Sequence, residues 1–174
     1  MSILITGLSA VGKSYIGDKL CRQLNLAEYN MGELLRRCSC EEGKSIEFKR
    51  EQVCSDLGQN SNNRNIIISI HTLVKFDTKY LISISMDDIK SINARAIILV
   101  EADPKTIIER RIQDKSIRPD RPLENQEDIL RLQNLQYNWI NYLSKYVKVP
   151  LLRVNNDGCN DVLKTIILFV KKNM

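Results

Sequence analysis

The chain has 174 residues, of which 43% are hydrophobic and 27% are charged, with seven glycines and four prolines. These values exclude a disordered chain and predict a single domain over residues 1–174, large enough to bury a core without disulfides or metals. The five cysteines favour reduced thiols because their number is odd. The net charge of +5 favours an anionic partner, either nucleotide phosphates or nucleic acid.

The N-terminal residues carry no basic leader, and no apolar stretch reaches the roughly 20 residues that cross a bilayer. We therefore expect a cytoplasmic protein that makes no membrane contact. Short apolar runs alternate with longer segments of helical period, which is typical of an α/β fold with a mainly parallel sheet. Strands are predicted at 2–6, 27–30, 65–70, 94–101 and 151–154, and helices at 13–24, 32–40, 45–57, 104–114, 124–146 and 161–171.

The first strand runs directly into the octapeptide GLSAVGKS, residues 7–14, which we call the P-loop. Its spacing, G-x-x-x-x-G-K-S between a strand and a helix, predicts backbone amides that surround a phosphate. Lys13 is expected to reach the β- and γ-phosphates of ATP and to be catalytic, and Ser14 to ligate Mg²⁺. A glycine-rich turn without a ligand is the structural alternative. The predicted ATP-binding residues here are Gly7, Ser9, Ala10, Val11, Gly12, Lys13, Ser14 and Tyr15.

The second informative stretch is NMGELLRR, residues 30–37, which follows the second predicted strand. It resembles the T-G-D-x-L-R motif of the adenylate kinases and other nucleoside monophosphate kinases. The resemblance implies that residues of about 30–60 bind the acceptor nucleotide, with Gly32 and Arg36 in contact with it. An arginine suits this role because its planar fork binds phosphate bidentately. A solvated arginine on a helix face remains the alternative.

The third stretch, IIISIHTLVK at residues 66–75, resembles the strand of archaeal-type adenylate kinases that ends in Asp-x-His with a lysine beyond it. The resemblance implies that His71 and Lys75 bind the acceptor, although a lone histidine is also compatible with a structural role. The chain departs from this family at Ser69, where the relatives have an aspartate that orients the Mg²⁺ water shell. Glu101 and Asp103 are the candidates for a replacement acid.

An arginine-rich segment follows the fourth strand, in ERRIQDKSIRPDRPLENQEDI at residues 109–129. Phosphoryl transfer needs cations that close over the moving group and exclude water, so residues 115–123 are predicted to form an exposed, mobile lid. The family resemblance implies that Arg111 stacks on the donor base, and that Arg118 and Arg121 are catalytic contacts to the transferring phosphate. The alternative is a basic surface loop.

The last loop, VNNDG at residues 154–158, occupies the position where the relatives read the donor base. Asn156 is therefore a candidate for ATP binding, although Asn-Asn-Asp-Gly is also favourable turn chemistry. The resemblance as a whole implies a three-layer P-loop NTPase fold with helices on both faces of a five-stranded parallel sheet of order 2-3-1-4-5. The implied activity is an ATP-dependent phosphotransferase on a nucleoside monophosphate, ATP + AMP giving two ADP.

Two other readings of the sequence remain open. DRPLE and GKSYIG resemble the lid and the P-loop helix of shikimate kinases, which favours a small-metabolite kinase, but the paired aspartates and the glycine triplet of that family are missing. The second is a slow P-loop ATPase that acts as an RNA or ribosome-assembly switch, which the basic charge and Ser69 favour. The sequence leaves the oligomeric state open.

Overall fold

A computed structural model describes residues 1–38, 45–76, 79–119, 123–158 and 160–174. Five strands form one parallel sheet: β1 (Ser2–Gly7), β2 (Ala27–Asn30), β3 (Ile66–His71), β6 (Ala94–Glu101) and β7 (Leu151–Asn155). Their order is β2-β3-β1-β6-β7. Counted within this sheet alone, the order is 2-3-1-4-5, as expected. Because all five strands are parallel, their carboxyl ends lie along one edge of the sheet, where α/β proteins bind ligands.

Seven helices are found in the described residues: α1 (Lys13–Leu24), α2 (Met31–Cys38), α3 (Ile46–Asn63), α4 (Met86–Ser91), α5 (Pro104–Gln113), α6 (Gln126–Val147) and α7 (Asn160–Asn173). All six predicted helices are present, and α3 continues past its predicted end at residue 57. Asp103 caps α5 by accepting a hydrogen bond from the Lys105 amide at 2.8 Å, with Pro104 in the first turn. No helix in the described ranges has the length and apolarity that a membrane span requires.

The sheet is covered on both faces because its strands are apolar on both sides. One face packs against α1 and α7 through buried residues that include Ile5, Ile16 and Ile166. The other face packs against α3, α4 and α6 through residues that include Ile68, Leu57 and Ile140. The central strands β1, β3 and β6 are almost fully buried and read as continuous apolar runs, which made them predictable. The edge strand β2 is intermediate to exposed and gives a weaker pattern.

The apolar pattern predicts no element between β3 and β6, and this prediction is wrong. The segment forms an antiparallel hairpin, β4 (Leu73–Phe76) with β5 (Lys79–Ile82), followed by α4. Four-residue strands are too short to show a clear period, and tertiary contacts anchor this hairpin to the sheet. Thr72 shares a buried hydroxyl contact of 2.6 Å with Thr6 of β1, and its carbonyl accepts a hydrogen bond from the Ser83 amide at 2.8 Å.

Candidate active site

The P-loop joins β1 to α1 at the carboxyl edge of the sheet. Gly12 has φ +93°, and a Cβ at this position would lie 2.3 Å from Nδ2 of Asn156, so only glycine fits here. The backbone amides of residues 9–12 donate to no protein acceptor in the part of the chain that the structure describes. Unsatisfied amides at a helix N-terminus form an anion-binding site, which fits a nucleotide phosphate.

Lys13 lies over this loop and is largely buried. Its Nζ donates to the carbonyl oxygens of Gly7 at 3.0 Å and Leu8 at 2.7 Å, and lies 3.1 Å from Nδ1 of His71. The P-loop lysine and the histidine at the end of β3 are therefore brought together, although they are 58 positions apart. Ser14 is exposed at the first turn of α1, next to this pair.

A cavity of about 360 Å³ opens above the P-loop, and we call it the central cavity. Its floor is the P-loop with the end of β3, and its far wall is the end of α5 with the start of the predicted lid. Its lining includes His71 from the end of β3 and Arg118 from the predicted lid. The lining residues are Ala10, Gly12, Lys13, Ser14, Tyr15, Asn30, Ser69, Ile70, His71, Arg110, Gln113, Asp114, Ile117 and Arg118.

A second cavity of about 310 Å³, the outer cavity, continues from Gly12 and Tyr15 toward α7. Arg110 lies in its wall and donates to the carbonyl oxygens of Ala10 and Asn156, each at 3.2 Å. Asn156 is buried and donates from Nδ2 to the carbonyl oxygen of Val11 at 2.8 Å. Arg110 and Asn156 thus tie the P-loop to the loop after β7, and they shape a partly apolar cavity of a size suited to a nucleobase.

A third cavity of about 500 Å³ lies between the P-loop, α2 and the β4–β5 hairpin, and we call it the hairpin-side cavity. It meets the central cavity at three residues that line both, Asn30, His71 and Arg118. Its walls carry four cations, Arg36, Lys75, Arg111 and Arg118, and one carboxylate, Glu33. A cavity with this charge is suited to an anion such as a phosphate monoester.

Glu124 supports one side of this third cavity. Its carboxylate pairs with Arg111, accepts a hydrogen bond from the Tyr80 hydroxyl, and lies 3.9 Å from Nζ of Lys75. Burial raises the pKa of Glu124 above its usual value, while the positive charge of Lys75 opposes that rise. The carboxylate therefore holds two of the cations in position and partly neutralises them.

Comparison with known proteins identifies the family. Residues 6–130 match the family model AAA_17, described as an AAA domain, and the match covers most of the chain. The chain belongs to the AAA_17 family. An adenylate kinase from Pyrococcus abyssi is 28% identical to this AAA_17 protein over 149 residues, which are 76% of this chain and 74% of that enzyme.

Solved structures give the same fold. Shikimate kinase from Aquifex aeolicus superimposes with a TM-score of 0.61 at 20% identity, covering 99% of this chain and 98% of that one. The YorR protein of Bacillus subtilis, solved in complex with phosphorylated GDP, gives a TM-score of 0.62 at 20% identity, covering 98% and 96%. The solved structures confirm the three-layer P-loop fold. The family match and the relatives named adenylate kinase make the AAA_17 protein a P-loop kinase, a phosphotransferase.

The structure places most of the predicted ATP-binding residues of this AAA_17 protein around one centre. Ala10, Gly12, Lys13, Ser14 and Tyr15 line the central cavity. Ser9 lines the hairpin-side cavity instead. Gly7 and Val11 contribute backbone only, since the Val11 side chain is buried in the core and Gly7 packs against the Val100 carbonyl.

The position of Arg111 differs from the expectation that it stacks on the donor base. Arg111 is only 2% exposed, pairs with Glu124 and lines the hairpin-side cavity. Its neighbour Arg110 lies in the wall of the outer cavity, where the donor base is expected. Successive residues of a helix point about 100° apart, so only the rotation of α5 decides which arginine faces which cavity. The sequence shows the two adjacent arginines, but it does not show which of them faces which cavity.

The four residues predicted to bind the acceptor lie together in the structure. Gly32, Arg36, His71 and Lys75 all line the hairpin-side cavity. Arg118 is exposed and lines both this and the central cavity. The described part of the predicted lid, residues 115–119 and 123, is exposed as expected. Arg121 lies outside the described residues.

The two acids suggested as replacements for the missing aspartate are engaged elsewhere. Glu101 accepts a hydrogen bond from Nε of Arg153 at 2.8 Å, and Asp103 caps α5. Both line a separate cavity beside β7 that contains no P-loop residue among the described lining. In the described ranges no three His, Cys, Asp or Glu side chains cluster as metal ligands.

Proposed function

We propose that this P-loop kinase transfers the γ-phosphoryl group of ATP to a nucleoside monophosphate, with ATP and AMP giving two ADP. The supporting observation is the meeting of the central and hairpin-side cavities at His71 and Arg118. One cavity contains the P-loop and the other is lined by cations, so two phosphorylated ligands are able to approach end to end. The relatives named adenylate kinase, aligned over three quarters of the chain, support the same reaction.

On this proposal the P-loop binds the ATP phosphates through its amides, and the base lies in the outer cavity beside Arg110 and Asn156. Lys13 exchanges its carbonyl partners, Gly7 and Leu8, for phosphate oxygens when ATP binds. Ser14 is the residue that would hold Mg²⁺, which supplies charge neutralisation of the phosphate oxygens when bound.

The acceptor phosphate is bound in the hairpin-side cavity by Arg36 and Lys75, with His71 between the two ligands. Arg118, which lines both cavities, together with Arg121 of the lid, stabilises the charge that develops on the transferring group. The acceptor oxygen attacks directly, so no protein nucleophile is needed. Burial of Arg111 beside Glu124 fits a supporting role, in which it holds this cavity in shape.

A small-metabolite kinase is the second candidate, supported by the fold similarity to shikimate kinase, although 20% identity carries the fold alone. A slow ATPase that switches an RNA or protein partner is the third. Ser69 supports this third candidate, because a serine in place of the relatives' aspartate leaves less negative charge near the metal, which fits slow turnover.

An ADP-release assay separates these candidates. The acceptors are AMP, GMP, CMP, UMP and shikimate, with RNA tested as an activator. We expect ADP formation that requires a monophosphate, and a loss of at least about 100-fold in kcat/KM for Lys13→Ala, because a cation that stabilises the transition state is removed. Lys105→Ala, an exposed lysine of α5, is the matched control and should retain activity.

Turnover of shikimate with the monophosphates inert would replace the proposal by the metabolite kinase. ATP hydrolysis that needs no acceptor and rises with RNA would replace it by the switch.

A further inference from the structure

Ser69 has a carboxylate partner that comes from another strand. Its side chain is 2% exposed at the end of β3 and lines the central cavity with Lys13 and Ser14. The Ser69 hydroxyl donates to Oε1 of Glu28, in β2, at 3.0 Å. The position at which the adenylate kinases carry an acid is thus occupied here by a serine whose hydroxyl is held by an acid.

Gly17 of α1 makes the space for that acid. A Cβ at Gly17 would lie 2.3 Å from Oε1 of Glu28, so any larger residue would push the carboxylate away. Gly17 lies one helical turn beyond Ser14 on the same helix, which brings the Glu28 carboxylate to the same side of the sheet as the P-loop helix.

The Glu28 side chain is exposed overall, but its carboxylate is partly desolvated and carries an electrostatic cost. Burial raises the pKa of Glu28 above its usual value, and the nearby negative charges of Asp18 and Glu33 raise it further, while the Ser69 hydrogen bond lowers it. A glutamine of the same shape would avoid this cost and would still accept the serine hydroxyl.

Other carboxylates do not fill this position. Glu101, Asp103 and Glu124 have partners away from the P-loop floor. Among the described lining residues of the central cavity the one carboxylate is Asp114, which lies at the end of α5, on the wall opposite Ser69.

We propose that Glu28 is a positioning residue for the metal-bound nucleotide, acting through Ser69. A hydroxyl has one proton and two lone pairs, so a Ser69 that donates to Glu28 presents only acceptor sites to the central cavity. Such a serine accepts hydrogen bonds from water in the metal's shell, and the charge of Glu28 strengthens them. Two residues on neighbouring strands then do the work of one aspartate. This inference rests on the proposed kinase function.

The test measures how much the metal contributes to nucleotide affinity, apart from turnover. Isothermal titration gives the Kd of ATP in the presence of Mg²⁺ and in the presence of EDTA. The readout is the Kd in EDTA divided by the Kd with Mg²⁺, which is larger the more the metal contributes to affinity. For Glu28→Gln we expect the ratio to fall about tenfold, which is typical of losing a partner that orients a metal's ligands. The Kd of metal-free ATP should stay within about twofold, since Glu28 does not line the cavity.

Three further variants make the result specific. Gly17→Ala keeps the charge but displaces the carboxylate, and Ser69→Ala removes the relay, so both should lower the ratio in the same direction. Asp18→Asn removes a neighbouring negative charge without touching Ser69. It should not lower the ratio, because loss of that charge favours the ionised form of Glu28. Ser69→Asp in the Glu28→Gln background should restore the ratio by supplying the acid directly.

The inference is overturned if the wild-type ratio is one, if Glu28→Gln leaves the ratio unchanged, or if Asp18→Asn lowers it equally. If Asp114→Asn lowers the Kd ratio and Glu28→Gln does not, Asp114 is the residue that positions the metal-bound nucleotide. Failure of the proposed function is seen in another assay: ADP would form without any acceptor, whatever the Kd ratios of these variants.

Discussion

At the residue scale, neighbouring side chains of one helix take different tasks. Arg110 hydrogen-bonds two carbonyls around the P-loop, whereas Arg111 is buried against Glu124 on the other side. The same contrast separates Arg36, which lines the hairpin-side cavity, from Arg37, which does not. Residue type and spacing identified the arginines, but the direction in which each points determines what it is able to bind.

Arg36→Ala tests the acceptor assignment. Loss of a charged hydrogen bond costs roughly 1.5–3 kcal/mol, so the KM of the monophosphate should rise about 10- to 100-fold while the KM of ATP changes less than about twofold. Steady-state kinetics with each substrate varied in turn measures both constants. Arg37→Ala, an exposed neighbour on α2, is the control and should change neither. Equal increases in both KM values for Arg36→Ala would argue against two separate sites.

At the scale of elements, the segment between β3 and β6 is held both by buried apolar residues such as Ile84 and Ile89 and by buried polar contacts. Ser85 and Asp88 form a capping box at the start of α4: the Ser85 hydroxyl accepts from the Asp88 amide at 3.2 Å, and the Asp88 carboxylate accepts from the Ser85 amide at 2.6 Å. Asp88 also pairs with Arg50 of α3, and so joins α4 to the helix beside it.

Asp88→Ala should therefore destabilise the protein. The substitution removes the cap of α4 and leaves the partly buried Arg50 without this carboxylate. Breaking such a pair lowers the free energy of unfolding by about 3 kcal/mol. Urea denaturation followed by circular dichroism measures the change in the free energy of unfolding. Asp87→Ala is the matched control, since Asp87 is exposed in the same helical turn, and it should cost well under half as much. Similar losses for both variants would show that the pair with Arg50 contributes little.

At the scale of the whole molecule, the parallel sheet brings the ends of β1 and β3 to one edge, and the loops beyond that edge form two connected cavities. Lys13 and Ser69 come from different strand-to-helix units, yet both line the central cavity. The hairpin and α2 then add the cationic cavity beside it. The two cavities share a boundary at Asn30, His71 and Arg118, so on the proposed function each would hold one ligand.

A ligand that spans both cavities tests this arrangement. Diadenosine pentaphosphate carries two nucleosides on one phosphate chain, so its second half binds at a high effective concentration once the first half is bound. We expect it to bind at least about 100-fold more tightly than ATP alone, as measured by isothermal titration. Arg118→Ala should weaken the spanning ligand more than ATP, because Arg118 lines both cavities. An affinity no higher than that of ATP would contradict two adjoining nucleotide sites.

Local pattern was enough to predict most of the sheet and the backbone turn of the P-loop. Strands buried on both faces appear as apolar runs, helices show their period over ten or more residues, and G-x-x-x-x-G-K-S specifies its own backbone turn. The five sheet strands and the start of α1 at Lys13 are confirmed. The strand order is confirmed too, but the family resemblance implied it, not the local pattern. The hairpin and α4 were missed because their stability comes from contacts with distant residues such as Thr6 and Arg50.

What only the tertiary structure decided is which polar groups meet. Glu28 and Ser69 are 41 positions apart, and they touch because β2 and β3 are neighbours in the sheet and Gly17 leaves room between sheet and helix. The roles of Arg110 and Arg111 depended in the same way on the rotation of α5 against the P-loop. Sequence spacing encodes backbone conformation over a few residues, whereas contacts between side chains depend on how the elements pack.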